Sequence, residues 1–398
     1  MQELIEPVSS NSSQSLNGSL LKIVHITFNF PPDMGGVGAY VQNLSRFLTE
    51  QNVEVAVIAL PTQLNLNPTG QPNAPTYRLK VLKLPLSDPI PLNLLWILRT
   101  LLKTKKRKII HLHGHCTFLS LVGAFCCNLL KISYVVTHHG EGLEISTLSK
   151  INGALRREVI AKYVLRNSKL VISVTENEAA TLMTRYRVPK NRILVLHNGV
   201  NSNEFDLSPK YNVLPKEWLG KKVIYNGGII AQWKGLEYLV KAMKLVVDQC
   251  EDARLMITGD GPDRIRLQNL INSLGLGEYI KFLGRVEPTF LPSFYNSSCM
   301  FVLPSLYDVC PTTVLEAMAS RKPVIITSNG GQKELVVDNV NGIVIPPADP
   351  GELAKAILTI LSSKKLAFEM GCQGRKIVEE KFEWSKIGRR MLQAYGTL

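Results

Sequence analysis

MFVLPSLYDVCPTTVLEAMASRKPVIIT, residues 300–327, reads as strand, loop, helix, strand. Met300–Leu303 is the short apolar run that fills a buried parallel strand. Pro304-Ser305 breaks it, and Thr312 or Thr313 is expected to cap the helix that follows, with Leu315, Met318 and Ala319 turned inward. Pro323 ends this helix and opens the next strand, Val324–Thr327. Asp308 and Glu316 stand eight positions apart across the loop-to-helix junction. That spacing puts one carboxylate in the loop and the other one turn into the helix. Both can face a ligand held over the helix N-terminus, where free backbone N–H groups favour phosphate. A carboxylate reaching two hydroxyls makes charge-assisted hydrogen bonds.

Strand–helix alternation extends outward in both directions. Leu21–Phe28, Val53–Leu60, Tyr77–Leu84, Ile109–His115, Ser133–Thr137, Leu170–Ser173 and Ile193–Leu196 read as strands. They predict one doubly wound sheet before a polar, Pro-containing linker at 206–220. Val223–Tyr225, Leu255–Gly261 and Ile280–Gly284 join the opening segment in a second sheet. Gly35-Gly36 lies at a helix start, where a backbone without side chains admits a diphosphate. The loop before it is too long for a dinucleotide fingerprint, which also requires a third glycine. Lys234 follows Gly227-Gly228 across a turn and can neutralise a leaving diphosphate. Ile109–His115 carries three alternating histidines; no carboxylate or cysteine other than Cys116 stands at ligand spacing, so no metal is expected.

At 398 residues the chain suffices for two ordinary domains, and its 45% apolar and 20% charged residues are those of a globular protein. Residues 1–20 are polar and read as a disordered tail. The longest uncharged apolar run, Phe118–Leu130, has thirteen residues, short of the ~20 that span a bilayer. Seven scattered cysteines suggest reduced thiols in a cytoplasmic compartment. The net charge of +14 is concentrated in residues 1–205, with 22 Lys+Arg against 12 Asp+Glu. Pro91–Lys108 is expected to be one amphipathic helix, with Trp96 among basic groups outside its core face. Such a helix suits an anionic membrane surface. No aromatic–basic module for nucleic acid is present in the sequence.

The stretch SLYDVCPTTVLEAMASRKPVI resembles the donor-site segment of retaining glycosyltransferases of family 4, where a Glu-x7-Glu pair precedes AMA-x-G-x-PV. The first acid here is Asp308, and Arg321 stands where Gly is usual. Phe30, Pro31, Pro32, Gly35, Gly36 and Tyr40 match the family's opening FPP-x-x-GG-x-x-x-Y. His139-Gly140, Asn198-Gly199-Val200, Gly330-Gly331 and Glu334 match further motifs. The resemblance implies a GT-B arrangement, two Rossmann-like domains (21–205 for the acceptor, 221–381 for the nucleotide sugar) facing across a cleft. Residues 382–398 would form a helix crossing back to the first domain. It implies metal-independent, retaining transfer from a nucleotide-diphosphate sugar to a hydroxyl acceptor, without a further cofactor. His139, Lys234 and Asp308 would be catalytic. Gly35, Gly36, Gly228, Arg285, Val286, Cys310, Pro311, Thr312 and Glu316 would complete the donor site. The family's usual Arg after the glycines is replaced by Ile229, with Arg264 or Arg285 the candidates to compensate. Two other readings stay open: a sugar-nucleotide epimerase of the same fold, and a non-catalytic binding protein on a membrane or sugar nucleotide.

Overall fold

The computed structural model describes residues 20–31, 35–61, 74–82, 88–140, 156–206 and 211–398. The expected N-terminal tail, Pro32 of the opening motif and most of the loop after Pro61 lie outside these residues.

Two all-parallel sheets carry the chain. The first has seven strands in the spatial order Thr76–Arg78, Glu54–Ala59, Leu21–Thr27, Arg107–His113, Tyr134–His138, Leu170–Ser173, Ile193–Val195. The second has six: Ile280–Phe282, Ala253–Thr258, Lys222–Gly227, Met300–Leu303, Val324–Thr327, Gly342–Ile345. Both faces of each sheet are covered, which is why these strands are mostly apolar instead of alternating strictly with polar residues. In the first sheet Val24, Ile58, Ile110 and Val136 pack under helices Leu94–Leu101 and Phe118–Leu129. Ile23, Val57, Ile109 and Val135 point the other way, against helix Gly36–Glu50 and the last helix, Trp384–Gly396. That last helix lies on the first domain through Trp384, Ile387, Met391 and Tyr395. Gly388 permits the approach, since a Cβ there would fall 2.3 Å from Cδ1 of Phe47. In the second sheet Ile224, Ile257 and Val302 face one layer of helices, and Tyr225, Phe301 and Ile326 face the other.

In each sheet the strand order reverses beside the first strand of its domain. A crevice opens at the carboxyl ends of the strands at that point, the place where open α/β sheets bind ligands. The Arg107–His113 and Met300–Leu303 strands border the two crevices.

Three local expectations are corrected. The amphipathic helix spans only Leu94–Leu101, and Arg107 and Lys108 already belong to the next strand. Pairing with Leu21 and Lys22 draws those two residues into the sheet, so tertiary contacts override the helical pattern. Tyr77–Leu84 is not one strand: Thr76–Arg78 extends the large sheet, whereas Val81–Leu82 pairs antiparallel with Ile90–Pro91. Neither Thr312 nor Thr313 caps its helix. Pro311 occupies the N-cap of Thr312–Ala319 and provides no side-chain hydrogen bond, which leaves the first N–H groups of that helix without a side-chain cap.

Candidate active site

The second-domain wall of the cleft is built from glycine turns. Gly228 has φ +134°, and a Cβ on Gly259 would fall 1.8 Å from its carbonyl oxygen, so two turns meet backbone to backbone. Gly235, at φ +65°, lies so close to the Pro304 carbonyl that a Cβ would be 2.0 Å from it. This contact brings the Lys234 turn beside the loop after Met300–Leu303, where Leu306 N–H donates to the Trp233 carbonyl at 2.8 Å. Lys234 Nζ then reaches Asp308 Oδ2 at 2.6 Å, with both side chains largely covered. Ser305 Oγ donates to the same carboxylate oxygen at 3.2 Å, and the Val309 N–H to the other.

Glu316 lies below this pair on the Thr312–Ala319 helix and accepts the Tyr295 hydroxyl at 2.8 Å. Burial pushes its carboxyl up to about 7, against the opposing effect of that hydrogen bond. Cys310 is buried between the domains. Its carbonyl accepts from Asn198 Nδ2 at 2.6 Å, and burial raises its thiol to about 12. Pro311 and Thr312 follow at the open helix start. Val286 packs against the second-domain core while Arg285 is exposed. The loop holding them reaches the cleft because Gly284 O accepts the Gly259 N–H at 2.7 Å. Ile229 is 48% exposed beside Gly228. Of the two candidate substitutes for the missing arginine, Arg264 pairs with Asp260 at 3.7 Å.

From the first domain, Gly35 is the N-cap of helix Gly36–Glu50 and supplies no side chain, so both glycines stand at an uncapped helix start. Arg78 holds the preceding turn by donating to the Phe30 and Pro31 carbonyls. His139-Gly140 follows the Tyr134–His138 strand directly. A Cβ on Gly140 would fall 2.4 Å from Val309 Cγ2, so His139 and Asp308 approach from opposite walls of one cleft. Burial, helped by the neighbouring His138 ring, lowers the His139 ring to about 3 and keeps it neutral.

The two walls are tied by side chains whose partners lie far away in sequence. Tyr307 OH donates to Glu178 Oε1 at 2.5 Å, and the other oxygen of this buried carboxylate meets His138 Nε2 at 2.5 Å. Burial opposes the charge on Glu178, but the His138 and Tyr307 hydrogen bonds outweigh it and leave the carboxyl below its ordinary value. Glu334 reaches across to the N-terminus of helix Glu176–Thr184, accepting from the N–H groups of Glu176 and Asn177 at 2.8 and 2.9 Å. It also meets His197 Nε2 at 3.0 Å. The family resemblance had singled out Glu334 only as a motif match, and nothing in the motifs pointed to the Tyr307–Glu178–His138 chain. The one available hint was the extra histidine before His139.

His25, His111 and His113 are buried on one sheet face, with ligand atoms within 4.8 Å of one another. Their nitrogens are largely engaged already. His111 bonds Tyr395 OH and Thr137 Oγ1 at 2.6 Å each, and His113 bonds His25 and His139.

Residues 34–204 match Glycosyltransferase Family 4, and residues 215–377 match Glycosyl transferases group 1. An uncharacterised glycosyltransferase of Methanocaldococcus jannaschii is 28% identical over 395 residues, covering 94% of this chain and 98% of that protein. Sucrose-phosphate synthase from Thermosynechococcus elongatus superposes with a TM-score of 0.77 at 24% identity, over 95% of this chain and 98% of that one. The Anabaena protein HepE, solved in complex with UDP-glucose, gives 0.76 at 20% identity over 95% and 100%. With both halves matched in order and the fold shared end to end, this chain belongs to the group 1, family 4 glycosyltransferases of GT-B fold.

Proposed function

We propose that this glycosyltransferase moves a sugar from a nucleotide-diphosphate sugar to a hydroxyl acceptor with retention of anomeric configuration. The observation that carries the reading is the Lys234–Asp308 pair, 2.6 Å apart at the strand reversal of the second sheet and facing His139-Gly140 across the cleft. In this reading Lys234 and the open helix start at Pro311-Thr312 hold the diphosphate, and Lys234 neutralises the charge that builds as it leaves. Glu316 holds the ribose diol, Arg285-Val286 flank the base, and Gly35-Gly36 and Gly228 let the backbone approach the phosphates. Asp308, released from Lys234 by the donor, accepts hydroxyls of the sugar, and His139 meets the sugar from the other wall. The site holds no side chain placed as a covalent nucleophile in this reading. Retention in this reading comes from departure and attack on the same face of the sugar, a course that the lack of such a nucleophile suits. HepE in its UDP-glucose complex has the same fold, which supports a nucleotide sugar as donor.

The acceptor in this reading is a glycan or lipid-linked hydroxyl, and the enzyme works at the cytoplasmic face of an anionic membrane. Trp96 is 69% and Phe125 58% exposed on the first domain. Arg99, Lys106, Arg107, Lys108 and Lys131 line a cavity of about 650 Å³ at the amino ends of the strands. Among the described residues no helix is long and apolar enough to cross a membrane. The test is a thermal-shift screen over UDP-, GDP- and ADP-sugars, then product NMR on the donor that stabilises, since bound ligand raises stability by mass action. A product of inverted anomeric configuration would refute the retaining reading.

A further inference from the structure

Six of the seven histidines gather at the cleft end of the first sheet, and the glycosyl-transfer reading uses only His139. Three of them form a chain. His25 Nδ1 lies 3.0 Å from His113 Nε2, and His113 Nδ1 lies 3.2 Å from His139 Nε2. His25 and His113 are buried, and burial holds all three rings neutral: His25 and His139 are lowered to about 3 and His113 is well below its ordinary value.

A bond between two neutral imidazoles needs one N–H and one lone pair, so the ring protons of such a chain all point the same way. Two settings exist. In one, His25 Nδ1–H donates to His113, His113 Nδ1–H donates to His139, and His139 carries its proton on Nδ1. In the other, every proton is on Nε2 and His139 Nδ1 is a bare acceptor. The far end decides between them. His25 Nε2 is buried without a hydrogen-bond partner. The first setting leaves a lone pair there, whereas the second leaves an orphaned N–H, the rarer and more costly defect inside proteins.

We propose that His25 and His113 are positioning residues: they hold His139 as its Nδ1–H tautomer and so present a neutral hydrogen-bond donor to an oxygen of the sugar in the cleft. His139 Nδ1 makes no hydrogen bond among the described residues, and its ring is only partly buried beside Gly140. A neutral donor selects a sugar oxygen by its lone pair. It adds no positive charge beside an anomeric carbon that becomes oxocarbenium-like as the leaving group departs. The role toward sugar rests on the transfer reading; the tautomer does not.

The test is nitrogen-15 NMR of histidine-labelled protein, with His139 assigned from its absence in His139→Asn, run beside donor turnover. Wild type should show His139 protonated on Nδ1. His25→Asn, whose amide nitrogen can donate from the place of Nδ1, should keep both tautomer and turnover. His25→Leu should lose the single tautomer and lower kcat about tenfold, the size of one neutral hydrogen bond. A wild-type His139 protonated on Nε2 overturns the proposal, whether or not the leucine variant folds. So does a folded His25→Leu protein with unchanged tautomer and kcat. The Nδ1–H signature in a protein that turns over no nucleotide sugar would instead count against the transfer reading alone.

Discussion

Glu316 and Ile229 are the residues at which the site departs furthest from ordinary chemistry. The Glu316 carboxyl titrates near 7 in the folded chain because burial disfavours its charge. From the unfolded value near 4.5 up to about 7, the native state holds a proton that the unfolded state has lost. Its contribution to stability is therefore full below that range and declines as pH rises through it. Thermal melts of the ligand-free protein should show Glu316→Gln losing less stability than wild type between pH 5 and about 7. Donor binding should have the opposite trend in wild type, because the ionised carboxylate is the better acceptor for a ribose diol. Glu316→Ala should weaken donor binding by about 1–3 kcal/mol in calorimetry. Unchanged affinity in a folded variant would remove Glu316 from the donor site. Ile229 stood out by the family resemblance as the missing arginine, and its side chain is half exposed beside Gly228. Ile229→Arg should leave turnover unchanged or raise it, since added positive charge at the diphosphate helps most as the leaving group departs.

Apart from the threonine cap, whose place Pro311 takes, the run from Met300–Leu303 to Thr312–Ala319 was legible, because apolar run, proline break and inward apolar stripe agreed with one another. The Lys234–Asp308 pairing was not, since it depends on Gly235 meeting a backbone carbonyl far away in sequence. Basic residues after Leu101 misled for a related reason: a helical pattern continued past the point where parallel pairing with Leu21–Thr27 takes over. Glu334 shows the same limit from the other side. Its motif spacing was visible, yet its work is to cap the helix Glu176–Thr184 from the opposite domain. Glu334→Ala should lower thermal stability by about 1–2 kcal/mol, the size of a lost N-cap. It should also loosen the approach of the two domains, which small-angle scattering can follow. A variant with wild-type melting and scattering would show that the cap contributes nothing to closure.

At the scale of the whole molecule, the alternation of strands and helices sufficed to foresee two doubly wound sheets, and the family resemblance added that they face across a cleft. The buried polar ties between them were hidden, because residues such as Glu178 and His138 acquire meaning only when folding makes them neighbours. The basic, aromatic end of the first domain lies at the opposite ends of its strands from His139, so a membrane held there would leave the cleft free. Lys103→Gln with Lys105→Gln should reduce binding to anionic liposomes by about 1 kcal/mol per exposed charge and leave donor cleavage unaltered. Arg107 is unsuitable for this test because it donates to the carbonyls of Tyr395 and Gly396 in the last helix. A wild-type protein that fails to sediment with such liposomes at low salt would exclude that surface. The central claim is that the cleft transfers a sugar from a nucleotide-diphosphate donor with Lys234 neutralising the leaving group. Its most direct test is cleavage of the stabilising UDP-, GDP- or ADP-sugar by wild type and Lys234→Ala side by side. The account predicts a loss of roughly a hundredfold or more in the variant, as for removal of one preorganised donor to a developing anion. Equal rates in the two proteins, both at background, would contradict it.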